Sequence, residues 1–137
     1  MKEIIQKVEK ITEEILKQDF KPLKELSIPK KQGVYIIKDI VGNHNPKNKI
    51  FYIGKSKNIF NRILKKHNAK NDKVSGSSLR DKLNKDKQIS FDKISDYLEK
   101  ECLFIVQEIE DFDINALVED LLIGILRKRK EPLLNFK

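Results

Sequence analysis

FYIGKSKNIFNRILKKH, residues 51–67, changes character in the middle. Its opening residues are aromatic and β-branched and run into Gly54, the pattern of a strand. Behind Asn58, a residue type that caps helices, Ile59, Phe60, Ile63 and Leu64 recur at helical spacing. Four lysines, one arginine and one histidine fill the remaining positions of interest. A strand passing into a helix with a basic outer face is either an ordinary solvated surface or the edge of a site that handles phosphate. Residue types alone leave both readings open.

Upstream, GVYIIK at 33–38 is a second strand-like run, and DIVGNHNPKN is rich in turn formers. The two runs therefore read as a hairpin with a long loop at 39–49. Residues 2–17 place Ile4, Ile5, Val8, Ile11, Ile15 and Leu16 on one helical face, and Pro22 and Pro29 punctuate the connector that follows. Downstream, Asn68–Ser78 reads as a loop with Ser77 or Ser78 capping a short helix, SLRDKLNK, and Phe91–Leu98 as another amphipathic piece. ECLFIVQEI reads as a third strand, and Asp113 as the cap of a last helix, INALVEDLLIGILRK, which Pro132 prevents from continuing. The order predicts an α+β domain: a small three-stranded, mostly antiparallel sheet flanked by helices, with an extra N-terminal amphipathic helix. Residues 1–28 form that helix and its connector, and residues 29–137 form a single globular unit.

Charge is distributed unevenly. Residues 47–87 carry thirteen Lys or Arg against three Asp, whereas the rest of the chain has a net charge of −2. Within that remainder, residues 88–120 hold ten acidic groups and two basic ones. A basic block on the segment that also holds the strand–helix junction favours a polyanionic partner, nucleic acid first. The one cysteine, Cys102, excludes an intramolecular disulfide and suits a reducing, cytoplasmic setting. No apolar run is long enough to span a membrane, and the charged N-terminus does not read as a signal peptide. The N-terminal helix is a candidate surface for a homodimer or an accessory protein.

Several chemistries are disfavoured. Two His and one Cys do not build a common zinc site, and neither a P-loop nor a dinucleotide-binding glycine pattern is present. Cys102 opens an apolar strand without a basic neighbour, as a core cysteine does. What remains is two tyrosines, basic residues and a carboxylate. Tyr35 and Ile37 share one strand face, as do Tyr52 and Gly54, an arrangement that serves packing more often than catalysis. Gly54 allows either a close backbone approach or a turn. Arg62, Lys65 and Lys66 fall outside the apolar stripe of the first basic helix, and His67 falls within it. On the last helix Glu119 projects beside Leu122, Ile123 and Leu126, where a carboxylate loses hydration and needs a cation. A salt bridge and a divalent metal satisfy it equally well.

Taken together, GVY at 33–35, YIG at 52–54, Arg62, Glu119 on a late helix and Asn135 in PLLN resemble the GIY-YIG nuclease family. YIGKSKNIFNRI is especially similar to the excision-repair and phage-type members, and the resemblance runs from about Pro29 to Phe136. It implies a metal-dependent DNA endonuclease that hydrolyses phosphodiester bonds with Mg²⁺ or Mn²⁺. The alternative is a catalytically weak or inactive nucleic-acid-binding module of the same fold. Carried onto this chain, Glu119 is the protein ligand to the metal and Tyr35 the general base, with Tyr52 beside it. Arg62 stabilises the scissile phosphate, Lys55 lowers the pKa of a neighbouring tyrosine, and Asn135 anchors the C-terminal turn. His67 is a further site candidate, and Lys57, Lys65 and Lys66 are candidate DNA contacts. The chain departs from the pattern in two places. Val34 replaces the middle Ile of the first motif, and sixteen residues separate GVY from YIG, a long loop that brings His44, Lys47 and Lys49 forward as candidate DNA contacts.

Overall fold

The computed structural model describes residues 2–67 and 78–135. Strand β1 (Gly33–Asp39) lies between β2 (Lys49–Ser56) and β3 (Cys102–Glu108), antiparallel to both. A central strand is covered on both faces, which explains why VYII is continuously apolar rather than alternating. Four α-helices, α1 (Lys2–Leu16), α2 (Ser78–Lys87), α3 (Phe91–Glu101) and α4 (Phe112–Lys128), flank the sheet. The α+β reading and the extra N-terminal helix agree with this architecture.

Helices α1 and α4 pack on the face that carries Val34, Ile36, Ile53 and Ile105. The opposite face carries Tyr35, Ile37, Tyr52 and Phe104, under α2, α3 and the segment that follows β2. Ile36, Ile37, Ile53 and Phe104 are fully buried, and each such side chain contributes about 1.5–3 kcal/mol of burial. Between Ile37 and Lys38 the pairing with β2 slips by one residue, so Phe51 is the extra residue of a bulge. This slip lets Phe51 and its neighbour Tyr52 both join the tyrosine-side core.

Two local expectations change. The helix after β2 begins at Ile59 as expected, and the Asn58 side chain accepts from the Asn61 N–H at 3.0 Å, but Asn61–His67 adopts π-helical rather than α-helical turns. Its entry is pinned by the connector: Ile59 N–H donates to Lys31 C=O and Phe60 N–H to Pro29 C=O. Ile59 and Ile63 are fully buried, while Arg62 between them in the helix is half-exposed. The last helix is capped by Asp111, not Asp113, because the Asp111 carboxylate accepts from the N–H groups of Asp113 and Ile114. The proposed cap Ser77 lies outside the described residues.

The hairpin loop is tied down by a buried polar network. Asp39, fully buried, accepts from the N–H groups of Val41 (2.8 Å) and Gly42 (2.7 Å) and from the Tyr97 hydroxyl (2.7 Å). Asn45 donates to that same hydroxyl at 2.8 Å, and the His44 ring stands edge-on to Tyr97. The loop therefore folds back onto α3, and its His44 ring is occupied there. Cys102, at the foot of this network, is buried, and burial pushes its thiol well above the ordinary range.

Candidate active site

Tyr35 sits at the middle of β1, opposite Gly54, and Tyr52 sits opposite Ile37, so all four share one sheet face. The two tyrosine rings are 6.2 Å apart and tilted by 32°. The Tyr35 ring lies directly over Gly54. A Cβ on Gly54 would overlap the ring carbons and hydroxyl of Tyr35. Since β2 continues to Ser56, Gly54 serves close approach rather than a turn.

Arg62, from the first π turn, acts on the same face, and its positive charge favours the Tyr35 phenolate. Burial acts the other way and more strongly, and Tyr52 and Glu119 add to it. With only 1% of its surface exposed, Tyr35 is held well above the usual tyrosine range. The phenol is thus a protonated group in the free protein.

Lys55 is paired with Val34 and so points to the other sheet face, where α4 packs. Its Nζ lies 4.0 Å from Glu119 Oε1. The lysine is therefore within ion-pair reach of the carboxylate. The Glu119 side chain is 16% exposed, and burial raises its carboxyl above the ordinary value. Lys55 pulls it back down, while Asp120 pushes it up. β2 is one of the sheet's two edge strands among the described residues, and the negative charge of Glu119 also disfavours the Tyr35 phenolate.

Asn135 closes the edge. Its side-chain oxygen accepts from the Ile53 N–H at 2.9 Å, and its amide nitrogen donates to the Ile53 carbonyl. One side chain thereby copies the two hydrogen bonds of a neighbouring strand. Leu134 N–H donates to Phe51 C=O, and Lys82 donates to the Asn135 carbonyl at 3.2 Å.

The structure thus gathers Tyr35, Tyr52, Lys55, Arg62, Glu119 and Asn135 around one stretch of β2. The side chains of Lys65, Lys66 and His67 lie outside the described part of the structure. Two further residues border the site. Phe112 holds Lys55 at 5.7 Å and Lys57 at 5.2 Å from its ring centre, a pair of cation–π contacts that gathers both ammonium groups on one ring. Its position seven residues before Glu119, two helical turns away on the same side, was visible in the sequence. Asn115, one turn before Glu119, is fully buried, with no partner for either side-chain amide atom among the described residues. Its burial depends on the sheet beneath α4, which no local sequence pattern reports.

Glu119 is suited to a hard divalent cation: a partly desolvated carboxylate on an open edge, with a lysine now supplying the positive charge it needs. No group of three or more His, Cys, Asp or Glu forms a metal cage among the described residues.

A tyrosine pair, an arginine and a partly buried glutamate thus lie along one edge of a small antiparallel sheet. The family model for the GIY-YIG catalytic domain matches residues 31–130, and the chain belongs to that family, one of nucleases that generally depend on divalent metal ions. Comparisons with curated proteins and with solved structures give no match. No helix among the described residues is long and apolar enough to cross a membrane.

Proposed function

We propose that the chain is a metal-dependent DNA endonuclease acting in the cytoplasm, with residues 29–137 as its catalytic unit and residues 1–28 as an added helix and connector. The observation that carries this reading is the convergence of Tyr35, Tyr52, Arg62 and Glu119 on one edge of the sheet, in a chain of the nuclease family.

Glu119 holds the cation, Mg²⁺ or Mn²⁺, which when bound contributes Lewis-acid stabilisation of the scissile phosphate. Arg62 presents a planar fork to the phosphate oxygens and meets the negative charge that grows as water attacks. Lys55 and Lys57, held on Phe112, add positive charge along the same edge. Lys65, Lys66 and His67 follow Arg62 in the sequence and stay candidates for DNA and phosphate contact. Tyr52 orients the water or phosphate, and Asn135 fixes the strand edge on which the site stands. Tyr35 takes the proton from the attacking water. Burial keeps its phenol protonated in the free protein, so the reactive phenolate is scarce at neutral pH and grows with pH. The same burial favours the second reading, a nucleic-acid-binding module with little activity of its own.

Cleavage of plasmid and branched DNA with Mg²⁺ or Mn²⁺ separates the two. The nuclease reading expects the wild-type rate to rise about tenfold per pH unit through the neutral range. Tyr35→Phe is expected to remove that dependence along with most of the rate. Inactivity of the wild type on every substrate and metal would leave the binding module.

A further inference from the structure

Among the described residues, Phe20, Phe51, Phe91 and Phe104 each join one of the two apolar cores, whereas Phe60 and Phe112 join neither. Both are half-buried, and each carries lysine on its ring. Lys30 Nζ stands 5.0 Å from the centre of Phe60, and Lys57 Nζ stands 5.2 Å from that of Phe112. These two lysines are exposed.

The two rings stand at the same end of the sheet. There Gly33 of β1 pairs with Ser56 of β2 and with Glu108 of β3. Phe60 comes just after Ser56 in the chain, and its N–H donates to Pro29 C=O in the connector that leads into β1. Phe112 comes just after Glu108 and opens α4. Lys57 sits in the turn that leads to Phe60, yet its ammonium lies on Phe112, so the exit of β2 links the two aromatics. Arg62 follows Phe60 on one helix, and Glu119 follows Phe112 on the other.

A single aromatic on a protein surface is ordinary. Core packing does not account for two that share one end of the sheet, lie under lysines and border the candidate active site. Rings interleaved with flexible cations suit an unpaired nucleic-acid strand, whose bases stack on the rings while its phosphates meet the ammonium groups. A duplex keeps its bases stacked on one another and gives the rings no base to receive. The exchange is favourable, because a lysine on an exposed ring contributes roughly two- to fivefold. A stacked base contributes roughly five- to 150-fold. Acidic groups at this end are in part occupied: Glu108 lies 3.5 Å from Lys31, and Asp111 caps α4. Glu110 and Asp113 stay exposed and oppose a rigid duplex laid across the end. A flexible single strand can set its phosphates at Lys30 and Lys57 instead.

We infer that Phe60 and Phe112 are base-stacking platforms for an unpaired strand, so that the substrate class is DNA with a single-stranded portion beside the cleaved bond. The inference rests on the reading of the chain as a DNA-cleaving nuclease, but binding without metal tests it separately.

The test is fluorescence anisotropy of the intact chain in EDTA, with labelled oligothymidylate and a duplex of equal length at matched salt. The wild type should bind the single strand at least about fivefold more tightly than the duplex. Phe60→Leu and Phe112→Leu keep an apolar side chain outside both cores, so their melting temperatures should stay near that of the wild type. Each should weaken single-strand binding at least about fivefold and leave the duplex affinity and the salt slope unchanged. Phe112→Trp should keep the single-strand affinity, which separates stacking from a structural role. Equal affinity of the wild type for both DNAs overturns the inference, as do leucine variants that bind the single strand like the wild type. Either result leaves the nuclease reading standing, whereas a wild type that binds neither DNA removes both.

Discussion

Glu119 is a carboxylate kept at a disadvantage. Burial lifts its pKa above the unfolded value despite Lys55, so the folded state holds that proton more readily than the unfolded chain does. A carboxyl raised in this way contributes stability at low pH and loses it as pH climbs through the raised value. At neutral pH its ionised form opposes folding. Glu119→Gln is therefore expected to melt at or above the wild-type temperature at pH 7, with the difference vanishing near pH 4, as calorimetry across pH can check. Added Mg²⁺ should raise the melting temperature of the wild type and leave Glu119→Gln unmoved. The partial burial of this residue was legible in the sequence because its helical neighbours are apolar. The state of Tyr35 was not. Its strand showed an aromatic among β-branched residues, but the depth of burial that outweighs Arg62 comes from helices distant in the chain.

Among the elements, β2 matters most because it is both an edge strand and the floor of the site. An unprotected edge leaves N–H and C=O groups unpaired, and at Ile53 both are taken up by the Asn135 side chain. Asn135→Ala removes two hydrogen bonds and should lower stability by about 1–3 kcal/mol, measured by urea unfolding. Faster exchange of the Ile53 amide should accompany it and distinguish loss of the edge from general loosening. The strands and most helices were readable from periodicity and turn residues. The π turns of 61–67 and the cap at Asp111 were not, since the first follows connector carbonyls at Pro29 and Lys31 and the second competes with an equally suitable Asp113. Asn135 was visible only as part of a resemblance, because a pairing across 82 positions leaves no local trace.

At the scale of the molecule, the basic block at 47–87 spans β2, the π-helix and α2, whereas the acidic groups gather in residues 88–120. Binding driven by that block should depend on salt, with log affinity falling by about 0.9 per phosphate neutralised for each unit of log salt. A fluorescence titration of duplex DNA across salt concentrations should give a slope of several such units and little difference between sequences. An affinity insensitive to salt would contradict it. The α+β class and the hairpin of β1 and β2 were legible because these strands are bounded by turn residues and most helices show one apolar face, whereas the central place of β1 was not. How α1 and α4 share a face of the sheet was not, because helix docking is decided by contacts between segments more than 100 residues apart.

The most direct measurement is nicking of supercoiled plasmid with Mg²⁺ by wild type, Glu119→Gln and Arg62→Ala, purified identically and compared at equal concentration. The site described above predicts Mg²⁺-dependent nicking by the wild type and a loss of ~10²–10³ in rate for Arg62→Ala, with Glu119→Gln reduced at least as far. Equal nicking by all three proteins would contradict the assignment of catalysis to this edge of the sheet.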